Sequence, residues 1–147
     1  LSLDGPGRRP VLKPGEPQTL CLPGDPETLG KRAERYLRKA AREAFDRAVT
    51  YYCDQLGVAV RRGTIKDTRS RWGSCTSDGR LAFSWRLIMA PEAVLDYVAA
   101  HECAHLIEPN HSPDFWAVCE RLFPETKMAK RWLSRHGSEL HAVGAVA

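Results

Sequence analysis

At 147 residues, with 43% hydrophobic and 27% charged positions, the chain has the composition of a soluble globular protein and length enough for one core but not two. No apolar run approaches the ~20 residues that a membrane-spanning helix needs, so no membrane partner is expected, and a net charge of +4 is too mild to mark a nucleic-acid binder by itself. Five cysteines, Cys21, Cys53, Cys75, Cys103 and Cys119, are odd in number and lack any Cys-x-x-Cys pairing. That argues against a disulfide framework or a zinc ribbon and for a reducing, cytoplasmic setting.

Residues 1–26 are rich in Pro and Gly and read as an extended arm with at most one or two strands. The first residues show neither a basic n-region nor an apolar h-region, so no signal peptide is expected. Asp25-Pro26-Glu27 then combines an N-cap residue, Pro at the first helical position and an acid in the first turn. Leu29, Ala33, Tyr36, Leu37, Ala40, Ala44, Ala48, Val49, Tyr52 and Leu56 recur at three- and four-residue steps as far as Gly57, which predicts a long amphipathic helix with a solvated, Arg-rich outer face. After Gly57 the period shortens. Val58-Ala59-Val60 and Thr64–Thr68 read as short strands, Ser77-Asp78-Gly79 as a turn, and Trp72–Cys75 with Leu81–Trp85 as a hairpin. A small antiparallel sheet follows from this.

Pro91 opens the next helix, whose stretch 94–107 carries only two formal charges, Asp96 and Glu102. A helix so apolar on nearly all sides is buried. It contains His101-Glu102-Cys103-Ala104-His105, and His111 lies six positions further on. His101 and His105 are one helical turn apart, so both imidazoles leave the same face and can reach one metal ion. Glu102 flanks them as a carboxylate that is not a ligand, the place for a general base acting on a metal-activated water. Burying these groups costs several kcal/mol unless they are paired or ligated. Pro109 stops the helix and the Glu108-Pro109-Asn110 turn lets His111 return. Three nitrogens on one zinc leave a fourth position open, as a catalytic site requires. Cys103 falls on the side of the helix away from His101 and is expected in the core, as is Cys75.

Ser112-Pro113-Asp114 repeats the N-cap logic and opens a third helix whose Phe115, Trp116, Cys119, Leu122 and Phe123 are expected to hold the His111 turn from behind. A last helix spans 124–136 around Met128, Trp132 and Leu133, ended by Gly137. His136 and His141 read as surface residues and 138–147 as a frayed tail. One compact domain over 27–137 therefore lies between the arm and the tail.

The runs Arg71-Trp72-Gly73-Ser74-Cys75, Trp85-Arg86-Leu87-Ile88, Ala90-Pro91 and Asp96-Tyr97-Val98, together with the histidine motif, Asn110-His111-Ser112-Pro113 and Phe115-Trp116, resemble the YgjP-type metal-dependent hydrolases, relatives of the SprT-like zinc metallopeptidases. The likeness covers roughly 65–123. It implies an α+β, zincin-like domain in which a small antiparallel sheet packs on a buried metal-binding helix, with one zinc ion on His101, His105 and His111 and Glu102 as base. Three-histidine metzincins share the spacing but have Gly where this chain has Glu108, and no Met-turn signature follows His111. In zincins a peptide adds as a strand to the sheet edge, so a protein or peptide substrate is expected. Arg71, Ser74 and Tyr97 are candidates for contacts to the substrate or transition state; Glu108 is a candidate to hold the His111 turn, and Asp114 is either an acceptor for His111 or, the favoured reading, a helix-dipole residue.

Two other partners suit the charge pattern. Arg61, Arg62, Lys66, Arg69 and Arg71 form a basic run that could hold the phosphates of a nucleotide for phosphoanhydride hydrolysis, although no Gly-rich phosphate loop accompanies it. The same run and the Arg-rich helix suit a SprT-like protein working on DNA-bound targets, without a zinc finger or basic tail.

Overall fold

The computed structural model describes residues 26–68 and 71–142; the expected arm, the Asp25 cap, Cys21, Arg69 and positions 143–147 lie outside them. Helix α1 runs Pro26–Leu56. Its inner stripe, Leu37, Ala40, Ala41, Ala44, Phe45, Ala48, Val49, Tyr52 and Cys53, is buried at helical spacing, and the many alanines let neighbouring elements approach closely. Gly57, at φ +71°, ends the helix in a Schellman motif: its N–H donates to the Asp54 carbonyl and that of Val58 to the Cys53 carbonyl, both at 3.1 Å. The chain then passes through Val58-Ala59-Val60 without forming the expected strand, and the Val60 side chain is exposed.

Three strands follow, β1 (Gly63–Lys66), β2 (Gly73–Cys75) and β3 (Leu81–Ser84). Their order is β1-β3-β2, with β2 antiparallel to β3 and β1 parallel to it. The predicted hairpin is present: the Thr76 N–H donates to the Arg80 carbonyl at 2.9 Å, and Gly79 turns the chain at φ +84°. The sheet is mixed where a purely antiparallel one was expected, because β1 pairs with β3 on the side opposite the hairpin and runs parallel to it. All four residues of β3 are buried, and the Phe83 ring stacks on Phe45 of α1 with centroids 4.2 Å apart. Phe45, absent from the predicted helix stripe, is thus one of the best-buried links between helix and sheet.

A 3-10 turn, Trp85–Met89, is capped by Ser84 and leads into α2 (Glu92–Ala104). Arg86 within that turn is fully buried, with its guanidinium paired to Asp67 and lying over the Trp85 ring at 4.8 Å. Helix α3 (Pro113–Leu122) starts at Ser112, whose hydroxyl accepts the Phe115 N–H at 3.3 Å as predicted. Helix α4 is Thr126–Ala142, so it runs past Gly137 and through 138–142, which were expected to fray. The reason is packing. A Cβ on Gly137 would meet the Trp72 indole at 3.2 Å, so this glycine serves a close approach, not a helix stop. His141, one turn on, stacks on Trp72 with centroids 3.7 Å apart and is half-buried, whereas His136 lies against Trp132 and 3.8 Å from Glu139. The result is a single α+β layer arrangement with α2 at its centre, between α1, the sheet and the two C-terminal helices.

Candidate metal centre

The site is built on the C-terminal end of α2. Val94, Leu95, Val98, Ala99, Ala100, Cys103 and Ala104 bury the helix in the core, which leaves His101 and His105 on its remaining flank. Helical bonding runs out at Glu108, the residue before Pro109: the Leu106, Ile107 and Glu108 N–H groups donate to the Cys103 and Ala104 carbonyls at 2.9–3.2 Å. The chain then doubles back, and His111 reaches the other two histidines. Its Nε2 lies 3.1 Å from His105 Nε2 and 3.3 Å from His101 Nε2. Nitrogens bound to one tetrahedral zinc at about 2.0–2.1 Å stand about 3.3 Å apart, so this donor set fits a single ion of that size. Among the described residues these three histidines form the only cluster of this kind.

Each imidazole is held by its surroundings. His105 Nδ1 lies 3.1 Å from the Glu108 carbonyl oxygen; a carbonyl only accepts, so Nδ1 carries the proton and Nε2 of the neutral ring keeps its lone pair for a ligand. His101 Nδ1 lies 3.2 Å from the Tyr97 hydroxyl. Burial, with His105, His111 and Lys130 adding to it, lowers His101 to about 4, and burial also lowers His105, so both rings stay neutral at physiological pH. The buried Phe115 touches all three imidazoles, at 4.9, 4.3 and 5.0 Å from His101, His105 and His111, and Trp116 stacks on His111 at 5.8 Å. These are the aromatic residues expected behind the His111 turn. Asp114, by contrast, is exposed in the first turn of α3, where it complements the helix dipole, and Glu108 holds the turn through its backbone carbonyl.

Glu102 is 7% exposed and points toward β2. Burial pushes its carboxyl up to about 7, while the positive charge of Arg71 pulls the other way. Among the described residues its carboxylate accepts no hydrogen bond, so the group is poised to exchange a proton near neutral pH. It fits because position 73 is glycine: a Cβ there would sit 3.0 Å from Glu102 Cγ and 3.1 Å from both its Oε2 and Val98 Cγ1. Gly73 was not singled out from the sequence, although a glycine inside a strand pattern is a signal for such close approach. Cys75 shares this face of β2; burial raises its thiol pKa and the Glu102 charge adds to that.

The three candidates for substrate contact are placed differently. Arg71 is exposed and lies on the Glu102 side. Tyr97 is buried with its hydroxyl 3.2 Å from His101 Nδ1, where it can fix the orientation of that ring. Ser74, by strand alternation, faces away from Glu102. What β2 offers instead is backbone. Trp72 and Thr76 use their backbone groups toward β3, so alternation turns those of Gly73 and Cys75 outward, beside Glu102, along an edge with which no strand among the described residues pairs.

A family model described as YgjP-like, metallopeptidase domain, matches residues 9–136, a span that includes every residue of the site. No match was found among curated proteins or among solved structures.

Proposed function

Since the chain belongs to the YgjP-like metallopeptidase family, we propose that it hydrolyses peptide bonds with one zinc ion held by His101, His105 and His111 and with Glu102 as the general base. The observation that carries this reading is the convergence of three Nε2 atoms at 3.1 and 3.3 Å beside a buried carboxylate that has no hydrogen-bond partner among the described residues. Zinc there would supply Lewis acidity, which lowers the pKa of a water toward ~7 and polarises a carbonyl.

The remaining work belongs to the chain. His105 and His101 are fixed in ring orientation by the Glu108 carbonyl and the Tyr97 hydroxyl, and Phe115 keeps the three rings from moving apart. A substrate strand pairs with the outward backbone groups of Gly73 and Cys75, which places its carbonyl next to Glu102 without demanding particular side chains. Glu102 takes a proton from the attacking water as the C–O bond forms. It gives that proton to the amine nitrogen as the C–N bond breaks, so the products are a carboxyl group and an amine. Arg71 lies close enough to moderate the basicity of Glu102 and to favour negative charge developing on that side.

The nucleotide and DNA readings lose their footing in the fold. Lys66 lies on β1, across β3 from the β2 edge where Glu102 sits, and the Arg61 guanidinium packs over the Gly79 turn. Along α1 the basic residues alternate with acids, and Arg38 is engaged by Glu34 and Asp67. No helix among the described residues is long and apolar enough to cross a membrane. The test is cleavage of a set of unstructured fluorogenic peptides by zinc-loaded protein, with nucleoside triphosphates in parallel. Peptide turnover that vanishes in Glu102→Gln is expected; triphosphate hydrolysis without peptide cleavage would overturn the reading.

A further inference from the structure

Lys130 of α4 has no place in the chemistry described so far, yet it stands beside it. Its ammonium lies 4.2 Å from the centroid of the Trp116 ring. That ring stacks on His111 at 5.8 Å and meets His101 edge-on at 5.6 Å. Lys130 forms no ion pair among the described residues, and it is exposed. Its positive charge is felt at His101. A lysine left free would sweep a wide volume on its four-carbon stem; one held over an indole presents its charge from a nearly fixed point. Through Trp116 that point is at most about 10 Å from His111, roughly three residues of extended peptide at ~3.4 Å each. Arg71 supplies a second exposed cation on the Glu102 side. The site thus has two exposed cations near it, Lys130 by way of Trp116 and Arg71 on the Glu102 side.

We propose that Lys130, held on the face of Trp116, forms a carboxylate-binding subsite beside the three histidines, so that the favoured substrates are peptides with a carboxylate within about three residues of the cleaved bond. The carboxylate is either an acidic side chain or a free chain terminus. This rests on the peptidase reading and specifies the substrate class for the same site.

The test uses fluorogenic peptides that differ only in Glu, Gln or Lys at each position flanking the bond, each made with a C-terminal amide and with a free carboxylate. Glu should exceed Gln by about fivefold in kcat/KM, the size of one partly screened charge pair, and the margin should shrink as salt rises. Lys130→Ala should erase the margin and Lys130→Glu should turn it toward Lys, each margin being the ratio of Glu to Gln peptide within one variant, so that any change in the common rate cancels. A gain from the free terminus alone identifies a terminal carboxylate; a gain from Glu in the amides identifies a side chain. Margins unchanged in Lys130→Glu, or absent in the parent protein, overturn the proposal. Should no peptide be cleaved at all, the peptidase reading fails, and the subsite is judged by binding. Zinc-loaded Glu102→Gln protein should then bind Glu peptides about fivefold tighter than Gln peptides by tryptophan fluorescence, and equal affinity, or a margin that survives Lys130→Glu, rejects it.

Discussion

Arg86 and Glu102 are the two buried charged residues among those described, and the fold treats them in opposite ways. Arg86, 0% exposed, is paired with Asp67 and laid against Trp85, with Arg38 sharing both partners. Glu102, 7% exposed, accepts no hydrogen bond among the described residues and faces Arg71 only through space. An Arg cannot shed its proton, so burial has to come with an acid, and the pair becomes framework. A Glu can, and left without a partner it becomes a group whose protonation is easily moved. Burial with partners therefore goes with structure here, and burial without them among the described residues goes with the proposed chemistry.

The sharpest way to break that contrast is Glu102→Gln. Turnover should fall by about 10²–10⁴-fold, the range lost with a positioned base, while metal content stays that of the parent; retained activity would remove Glu102 from the reaction. Next is Asp67→Ala, which removes the acid paired with the buried Arg86 charge. A loss of about 3 kcal/mol is expected in denaturant unfolding, with kcat/KM of the folded fraction unchanged; a loss below 1 kcal/mol would show that Arg86 does not depend on this acid.

Glu102→Gln should also act on stability, in the other direction. The folded-state pKa of about 7 lies above the ordinary 4.5, so the native state holds the proton more tightly than the unfolded chain. Stability from that proton is present below pH 4.5 and is lost as pH rises through 7. Gln mimics the protonated form, so metal-free Glu102→Gln should exceed metal-free parent by about 3 kcal/mol at pH 8 and match it near pH 4; no difference at pH 8 would mean that Glu102 is solvated. The smallest effect belongs to Tyr97→Phe. Loss of the hydroxyl on His101 should weaken zinc about tenfold in chelator competition, and unchanged affinity would make Tyr97 a packing residue only.

Much of this was legible from local pattern. The spacing of His101, His105 and His111 and the Ser112 cap depend on a few neighbouring residues, as does the Gly79 turn, and each stands in the structure as the sequence predicts. What escaped depends on residues far apart in the chain. Gly137 looked like a helix stop because its purpose, room for Trp72, lies 65 positions away. The parallel pairing of β1 is with β3, on the side opposite the hairpin. Lys130 carries no local signal, since only the docking of α4 against α3 brings it over Trp116. Tyr97, four residues before His101, brings its hydroxyl to Nδ1 of that imidazole, a placement that depends on the packing of the helix.

The central claim, one metal on three histidines with Glu102 beside it but not binding it, is tested most directly by elemental analysis of the parent protein, His105→Ala and Glu102→Gln after zinc loading and desalting. The account predicts close to one zinc per chain in the parent and in Glu102→Gln, and none in His105→Ala. Zinc absent from the parent, or retained in full without His105, would contradict it.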